Sequence, residues 1–455
     1  MRLAVELYGE IVGTLEGRAR DFDLLPSAAG IERFGLGSTV LSTAIPLVTT
    51  PRRDRASRRR TWFAELLPEG DQYQYMLAQG GLRVGDTPGF LARYGRDVAG
   101  ALQVWDLDDP GEPSVPGISL VTDGEIAGLL RDPIRSPLAN APELGKSSLG
   151  GVQPKVVLAR TPKGWAQALG GYPTTHILKP QLGGERSCII FDEEFGSRIA
   201  RRLGLADFRT AVEHFDGLAA LVIERYDRLD GVRLHQEDLS QALGARGNEK
   251  YQELGGVVSL RRVADVIARH APEVDLRRLG RMVTLAVAIG DLDRHTKNIA
   301  LLHPADGLAV LAPMYDVVPQ AHHRGDGRLA MAVNGVYRHV DVTIVDLAEE
   351  IAGWGVRRSL GLVTSTLEEV ATALESVRAL SPAAARRYLG LRLEPARRKA
   401  GRRSPVLAPS LRRGRTGASR QTCPPFNRLG GWRHARPTSS RSLVLPSPHQ
   451  SARRS

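Results

Sequence analysis

The 455-residue chain is 42% apolar and 25% charged, an ordinary balance for a soluble globular protein and a length that suits two or three domains. Its net charge of +12 invites a nucleic-acid reading, but residues 397–455 hold 15 Lys/Arg and no acid, which leaves residues 1–396 at −3: the body is mildly acidic and the basic character belongs to a tail. No apolar run nears the roughly 20 residues of a membrane span, the start Met1-Arg2-Leu3-Ala4-Val5-Glu6 reads as a strand rather than a signal peptide, and the distant Cys188 and Cys423 offer neither a disulfide framework nor a zinc site, so a cytoplasmic protein without membrane association is expected.

Residues 3–17 alternate as a hairpin, with Leu3, Val5 and Leu7 on one face and Tyr8-Gly9-Glu10 at the turn. Short strands and turns are expected up to about residue 60. The run Trp62-Phe63-Ala64-Glu65-Leu66-Leu67-Pro68-Glu69-Gly70 then leads into a helical stretch through Leu91, so residues 1–107 read as a small mixed α/β module. Residues 106–116, with three prolines and four Asp/Glu, look like a linker. Short strands dominate residues 118–228, with one helix near 192–203; Val156-Val157-Leu158, Thr175-His176-Ile177-Leu178 and Ala220-Leu221-Val222-Ile223 are candidate buried strands.

Beyond Gln236 the pattern turns helical. Leu260, Val263 and Ile267 share a face, Asp275 is expected to cap the next helix, which buries Leu276, Leu279, Val283, Ala286 and Val287, and a helical pattern over 362–391 completes the body. The organisation predicted is a module at 1–107, a strand-rich lobe at 108–228 and a helical lobe at 229–398. Together they form an α+β, two-lobed unit behind a small α/β module. The tail at 399–455, rich in Arg, Ser and Pro without apolar period, is expected to be disordered. It reads either as a nucleic-acid-binding arm or as an unselected extension.

The strongest chemical signal is Gly290-Asp291-Leu292-Asp293-Arg294-His295-Thr296-Lys297-Asn298, with Pro313-Met314-Tyr315-Asp316 beyond it. Kinases need an Asp for the substrate hydroxyl proton, an Asn for Mg²⁺ five residues on, and a further Asp for Mg²⁺. Asp293 and Asn298 have that spacing. Strands at 299–302 and 308–311, joined by the turn Pro304-Ala305-Asp306-Gly307, return the chain so that Asp316 approaches Asn298. Hard oxygen donors of this kind suit Mg²⁺. Lys297 either neutralises transferring phosphate charge or is a solvated loop lysine.

A second cluster lies upstream. Ser147-Ser148-Leu149-Gly150-Gly151-Val152-Gln153-Pro154-Lys155 puts two glycines before a strand, as a flexible loop whose amides can reach phosphates or as a simple Gly-Gly turn. In His176-Ile177-Leu178-Lys179-Pro180 a lysine ends an apolar strand, where it either binds phosphate or reaches solvent.

The ordered set resembles the HipA toxin kinases. It comprises Ser148-Leu-Gly-Gly-Val-Gln-Pro-Lys155, His176-Ile-Leu-Lys-Pro180, Ile223-Glu-Arg-Tyr-Asp-Arg228, His235-Gln-Glu-Asp238, Asp293-Arg-His-Thr-Lys-Asn298 and Tyr315-Asp316. Leu66-Leu67-Pro68-Glu69-Gly70 and Tyr94-Gly95-Arg96-Asp97-Val98-Ala99-Gly100-Ala101-Leu102 resemble that family's N-terminal module, and the likeness covers about residues 1–395. The resemblance implies a protein-kinase-like fold and an ATP- and Mg²⁺-dependent serine/threonine kinase that inhibits growth. Asp293 would be the catalytic base; Asn298 and Asp316 would hold Mg²⁺. Lys179 and the loop Gly150, Gly151, Val152, Gln153, Pro154 and Lys155 would hold ATP phosphates. Glu224, Arg225 and Tyr226 would be the hinge for adenine, and His295, Thr296, Lys297 and Tyr315 would complete the nucleotide site. Ser148 would be autophosphorylated, expelling the loop and silencing the enzyme. Glu194 is a candidate partner of Lys179, with ordinary charge at a helix N-terminus as the favoured reading. Implied partners are a HipB-like helix-turn-helix antitoxin, operator DNA reached mainly through it, and an aminoacyl-tRNA synthetase substrate such as glutamyl-tRNA synthetase.

Rival readings are a haloacid-dehalogenase-type phosphatase, through Asp291-Leu-Asp293 after an apolar run, a catalytically inactive corepressor bound to its antitoxin, and a Ser148/His295/Asp hydrolase. Helical spacing over 276–287 counts against the first. The presence of every named catalytic residue counts against the second, and the lack of a Gly-x-Ser-x-Gly elbow against the third.

Overall fold

The computed structural model describes residues 1–141, 144–229 and 231–378. The expectations for the tail 399–455, for the helical pattern beyond 378 and for Cys423 fall outside the described residues.

The chain begins with β1 (Arg2–Leu7), β2 (Glu10–Arg18) and β3 (Asp21–Pro26). Tyr8 and Gly9 both take positive φ at the first turn, 54° and 80°, the backbone that a two-residue hairpin demands. Next come α1 (Ala28–Phe34), α2 (Ala56–Ala64), α3 (Gly70–Gly80), α4 (Thr87–Tyr94) and β4 (Gln103–Asp106). The sheet runs β3-β2-β1-β4, all antiparallel. Leu3, Val5 and Leu7 pack on Trp62, Phe63, Met76, Phe90 and Leu91, and Val157 and Ile177 of the next sheet join the same core. The sequence reading missed α1, a short helix capped by the Ser27 hydroxyl, which accepts from Gly30 N at 2.9 Å.

The second sheet is built from β5 (Gly117–Leu120), β6 (Val156–Thr161), β7 (Gly164–Leu169), β8 (His176–Pro180), β9 (Thr210–Phe215) and β10 (Leu218–Glu224), in the order β5-β7-β6-β8-β10-β9. Two helices pack against it, α5 (Asp123–Arg131) and α6 (Ile189–Arg202). Ile126 and Leu130 of α5 meet Leu158, Leu178 and Ala220, while Ile190 of α6 meets Ala219 and Leu221. Helix α5 is a second miss. Its signal was present, since Thr122 and Glu125 cap each other reciprocally at its start.

Two short strands, β11 (Arg228–Leu229) and β12 (Val232–Arg233), lead to β13 (His235–Asp238) and α7 (Leu239–Leu243). The helical half holds α8 (Leu260–His270) and α9 (Glu273–Ile289), followed by β14 (Ala300–His303) and β15 (Val310–Leu311). It continues with β16 (Arg328–Val333), β17 (Val336–Arg338), α10 (Ile344–Gly353) and α11 (Ser359–Arg378). Its core gathers Ile199 of α6, Val263 and Ile267 of α8, Leu279, Val283 and Leu285 of α9, Ile351 of α10 and Val363 and Val370 of α11. Asp275 does not cap α9. The helix starts after Pro272, and the Asp275 carboxylate accepts from Leu311 N at 2.8 Å, which fastens α9 to β15. β14 pairs with β15 as the sequence suggested, and with β13 on its other edge.

Candidate active site

Helix α9 ends at Gly290 in the left-handed region (φ 72°), where an added Cβ would stand 2.5 Å from Ala321 Cβ; both backbone and space require glycine there. The chain then loops through 291–299 into β14. Asp291 and Arg294 form a buried ion pair at 2.5 Å. The same guanidinium donates to the carbonyls of Asn298 (2.9 Å), Tyr315 (2.7 Å) and Asp316 (3.1 Å). Arg294 is thus the clamp that draws Asp316 to the loop carrying Asp293 and Asn298. It holds Asp316 in a left-handed conformation, φ 53°, which costs about 1–2 kcal/mol for a residue with a Cβ.

Asp293 sits at the rim, its side chain 41% exposed, with His295 Nε2 4.0 Å from its Oδ2. The Tyr251 hydroxyl donates to Asp293 Oδ1 at 3.0 Å, and Tyr251 stands edge-on to His295. Partial burial and the nearby Asp316 push the Asp293 carboxyl up to about 6, against the hydroxyl that stabilises its charge. His295 is pushed down to about 3 by burial and by Lys250, so its imidazole is neutral at pH 7. Asn298 Nδ2 donates to Asp293 O at 3.0 Å, which fixes the amide. The Thr296 hydroxyl meets the Ser240 hydroxyl at 2.7 Å.

Lys179, opposite Leu221 in the sheet, reaches Glu193 at 2.8 and 2.9 Å and Asp316 at 2.8 Å. Burial opposes its charge, but Asp316 and Glu193 outweigh that and raise its pKa. Burial likewise opposes ionisation of Asp316, which Lys179 nevertheless holds well below the usual carboxylate range. Glu193 is pushed up to about 7 by burial, and as a second carboxylate beside Asp316. The candidate partner Glu194 pairs with Arg198 one turn along α6, as ordinary helix charge does. One residue is about 100° of helix rotation, enough to turn Glu194 away from the sheet that Glu193 faces.

In the loop before β6, Lys155 Nζ donates to Gly150 O at 2.7 Å, and Gly151 takes φ 102°, a backbone that favours glycine. Lys155 is pushed down to about 8 by burial and by Lys179. Val152 is exposed and Gln153 Nε2 is buried without a hydrogen-bond partner among the described residues. Ser148 is 0% exposed: its hydroxyl donates to Leu66 O at 3.2 Å and its amide to Asp97 O at 3.0 Å. The loop is therefore seated on the N-terminal module.

Lys297 is buried rather than solvated, and its stem passes close to Gly150. Its ammonium donates to Glu65 Oε2 (2.8 Å) and Glu65 O (3.0 Å), with Asp238 at 3.7 Å and Glu69 at 3.8 Å. Lys250 binds Glu69 at 2.9 Å. The Leu66-Leu67-Pro68-Glu69-Gly70 segment is thereby tied to the loop at 293–298. Of the hinge candidates, Glu224 N donates to Arg209 O and Arg225 N to Thr175 O, both at 2.9 Å. The Arg225 side chain is buried against Asp227 and Thr174. Tyr226 stacks on Tyr315, whose hydroxyl donates to Lys297 O at 2.6 Å. Arg294, Tyr251, Glu193, Glu65 and Glu69 were not assigned roles from sequence; each is defined by a partner far along the chain.

A strand-rich lobe and a helical lobe, with a lysine–carboxylate cluster meeting an Asp/Asn loop between them, define a two-lobed protein-kinase-like fold. Residues 3–105 match the HipA N-terminal domain and residues 147–379 the HipA-like C-terminal domain. Y4mE of Sinorhizobium fredii is 34% identical over 364 residues, covering 74% of this chain and 83% of that protein. The serine/threonine-protein kinase toxin HipA of Shewanella oneidensis is 27% identical over 340 residues, 70% of this chain and 76% of that one. The chain belongs to the HipA family. A solved complex of Shewanella oneidensis HipA, HipB and operator DNA superposes with a TM-score of 0.70 at 24% identity, covering 83% of this chain and 90% of the solved one, and so shares its fold.

Proposed function

We propose that the protein is an ATP- and Mg²⁺-dependent serine/threonine protein kinase acting as the growth-inhibiting half of a toxin–antitoxin pair. The observation that carries this reading is the double role of Asp316, bonded to Lys179 at 2.8 Å and clamped through Arg294 to the loop of Asp293 and Asn298. A carboxylate and an amide are hard oxygen donors that fit Mg²⁺ with phosphate oxygens and water. Asn298 and Asp316 would hold the metal. Lys179 and residues 150–155 would hold the phosphates, and Mg-ATP supplies the transferable phosphoryl group and neutralises its charge. Asp293, ionised at neutral pH, orients and accepts the substrate hydroxyl proton, while Tyr251 fixes its carboxylate. With the Glu224 and Arg225 amides engaged, Tyr226 N is the hinge donor for adenine.

Ser148 is the self-inhibitory site in this reading. A phosphate adds about −1.5 to −2 charges to a buried hydroxyl, so the loop cannot return to its seat. Family membership supports a HipB-like helix-turn-helix antitoxin as partner, with operator DNA reached mainly through it. It also supports an aminoacyl-tRNA synthetase, such as glutamyl-tRNA synthetase, as substrate. Incubating the purified chain with labelled ATP and Mg²⁺, then comparing the phosphoproteome of cells expressing wild type and Asp293→Asn, tests this. Transfer by wild type alone is the expected result; no transfer by wild type would favour a corepressor without kinase activity.

A further inference from the structure

We propose a zinc site at Asp192, His322 and His323, outside the catalytic cluster and independent of the kinase reading. Among the described residues these three are the one group of His, Cys, Asp and Glu donors that closes to within 4.8 Å. Asp192 lies in the first turn of α6 and is 1% exposed. The two histidines lie in the segment that follows Asp316. His322 Nε2 is 3.2 Å and His323 Nε2 2.9 Å from the same oxygen, Asp192 Oδ2. The His323 contact is a hydrogen bond; tetrahedral ligands at about 2.0–2.1 Å from zinc stand about 3.3 Å apart, so the 3.2 Å pair has that spacing already and the 2.9 Å pair opens by about 0.4 Å as the ion replaces the shared proton. The imidazole centroids are 4.1 Å apart. That spacing lets both rings face one ion beside the Asp192 carboxylate. Two imidazoles and one carboxylate favour a borderline-soft cation over Mg²⁺, which prefers oxygen, and three protein ligands leave a fourth position for water.

The backbone on both sides is fixed before any ion arrives. Gly196 of α6 lies so close to the segment that an added Cβ would stand 2.1 Å from Val317 O. Gly290 O accepts from Gln320 N (2.7 Å) and Ala321 N (3.0 Å), and His323 N donates to Gln320 O at 2.8 Å. A bound ion would bridge α6, one residue before Glu193, to the segment beyond Asp316, and so hold the register in which Glu193 meets Lys179.

The test is calorimetric titration of the chelator-treated full chain with zinc alone, in magnesium-free buffer, beside a thermal melt. The expected result is one tight equivalent and a raised Tm in wild type. The equivalent should weaken at least tenfold, and the Tm shift vanish, in the His322→Gln/His323→Gln double variant. Both histidines lie near the surface, so that variant keeps the fold; Asp192→Asn is the buried counterpart. Asp316→Asn should retain the zinc equivalent, separating this site from the proposed magnesium ligands, and millimolar Mg²⁺ should not displace it. Failure of wild type to take up a tight equivalent, unchanged binding in the double variant, or loss of binding in Asp316→Asn would overturn the proposal.

Discussion

Replacing Glu193 by Gln, with Glu194→Gln as its neighbour control, asks which acid holds Lys179, the lysine proposed to meet the phosphates. Glu193→Gln keeps shape but removes the carboxylate that accepts twice from buried Lys179. Orphaning a buried charge costs about 3–5 kcal/mol. Here Asp316 stays 2.8 Å from the same ammonium and a glutamine oxygen can still accept one bond, so the loss is nearer that of one charged hydrogen bond, about 1.5–3 kcal/mol. For lobes of this size that lowers Tm by about 3–12 °C. With Asp316 as its sole acidic partner, Lys179 is drawn away from the nucleotide, and KM for ATP should rise roughly tenfold, the equivalent of about 1.4 kcal/mol. Glu194 pairs with Arg198 on its own helix, a pair of the kind worth about 0–1 kcal/mol, so Glu194→Gln should leave KM unchanged. Melting curves and ATP-dependence of phosphate transfer read both effects. Equal damage from the two variants, or wild-type ATP dependence in Glu193→Gln, would refute the reasoning.

Three further outcomes follow from the same contacts. Asp293 must be ionised to accept a proton, so activity should rise with pH through its value of about 6. Tyr251→Phe removes the hydroxyl that lowers that value and should move the acid limb of kcat/KM upward by about 0.5–1 unit, the rim exposure reducing the effect; an unmoved limb would show that Tyr251 does not act on Asp293. Glu65→Gln loosens buried Lys297 but leaves Asp238 and Glu69 nearby, and denaturant unfolding should show a loss of about 1–3 kcal/mol. After incubation with Mg-ATP, mass spectrometry should find phosphate on Ser148, and limited proteolysis should cut within 147–155 only in the phosphorylated chain; phosphate on Ser147 alone would move the switch by one residue.

The parts legible in the sequence were those fixed by short-range pattern. The five-residue spacing of Asp293 and Asn298 and the hairpin that returns Asp316 are local, and a turn between two apolar runs is enough to bring the chain back. The partner of Lys179 was left open between Glu194 and none, because charge in a first helical turn does not reveal which face meets the sheet; packing of Ile190 on Leu221 decides that. Arg294 stood in plain view inside the motif, but its role as a clamp depends on carbonyls 21 and 22 residues later. Tyr251, 42 residues before Asp293, and Glu65, 232 residues before Lys297, carry no periodic signal. Helix α5 was readable from Thr122 and Glu125, but lay among strands whose apolar runs dominated the pattern.

The central claim is that Asp293 is the base of a phosphotransfer site whose nucleotide is held by other residues. Asp293→Asn removes charge with little change of shape, at a rim position outside the Lys179–Glu193–Asp316 cluster. Measuring Mg-ATP affinity and phosphate transfer on the same preparation separates binding from chemistry. The expected result is ATP affinity within about twofold of wild type and transfer reduced by at least 10², in keeping with loss of a positioned acid–base group. Transfer at the wild-type rate by Asp293→Asn would contradict the assignment.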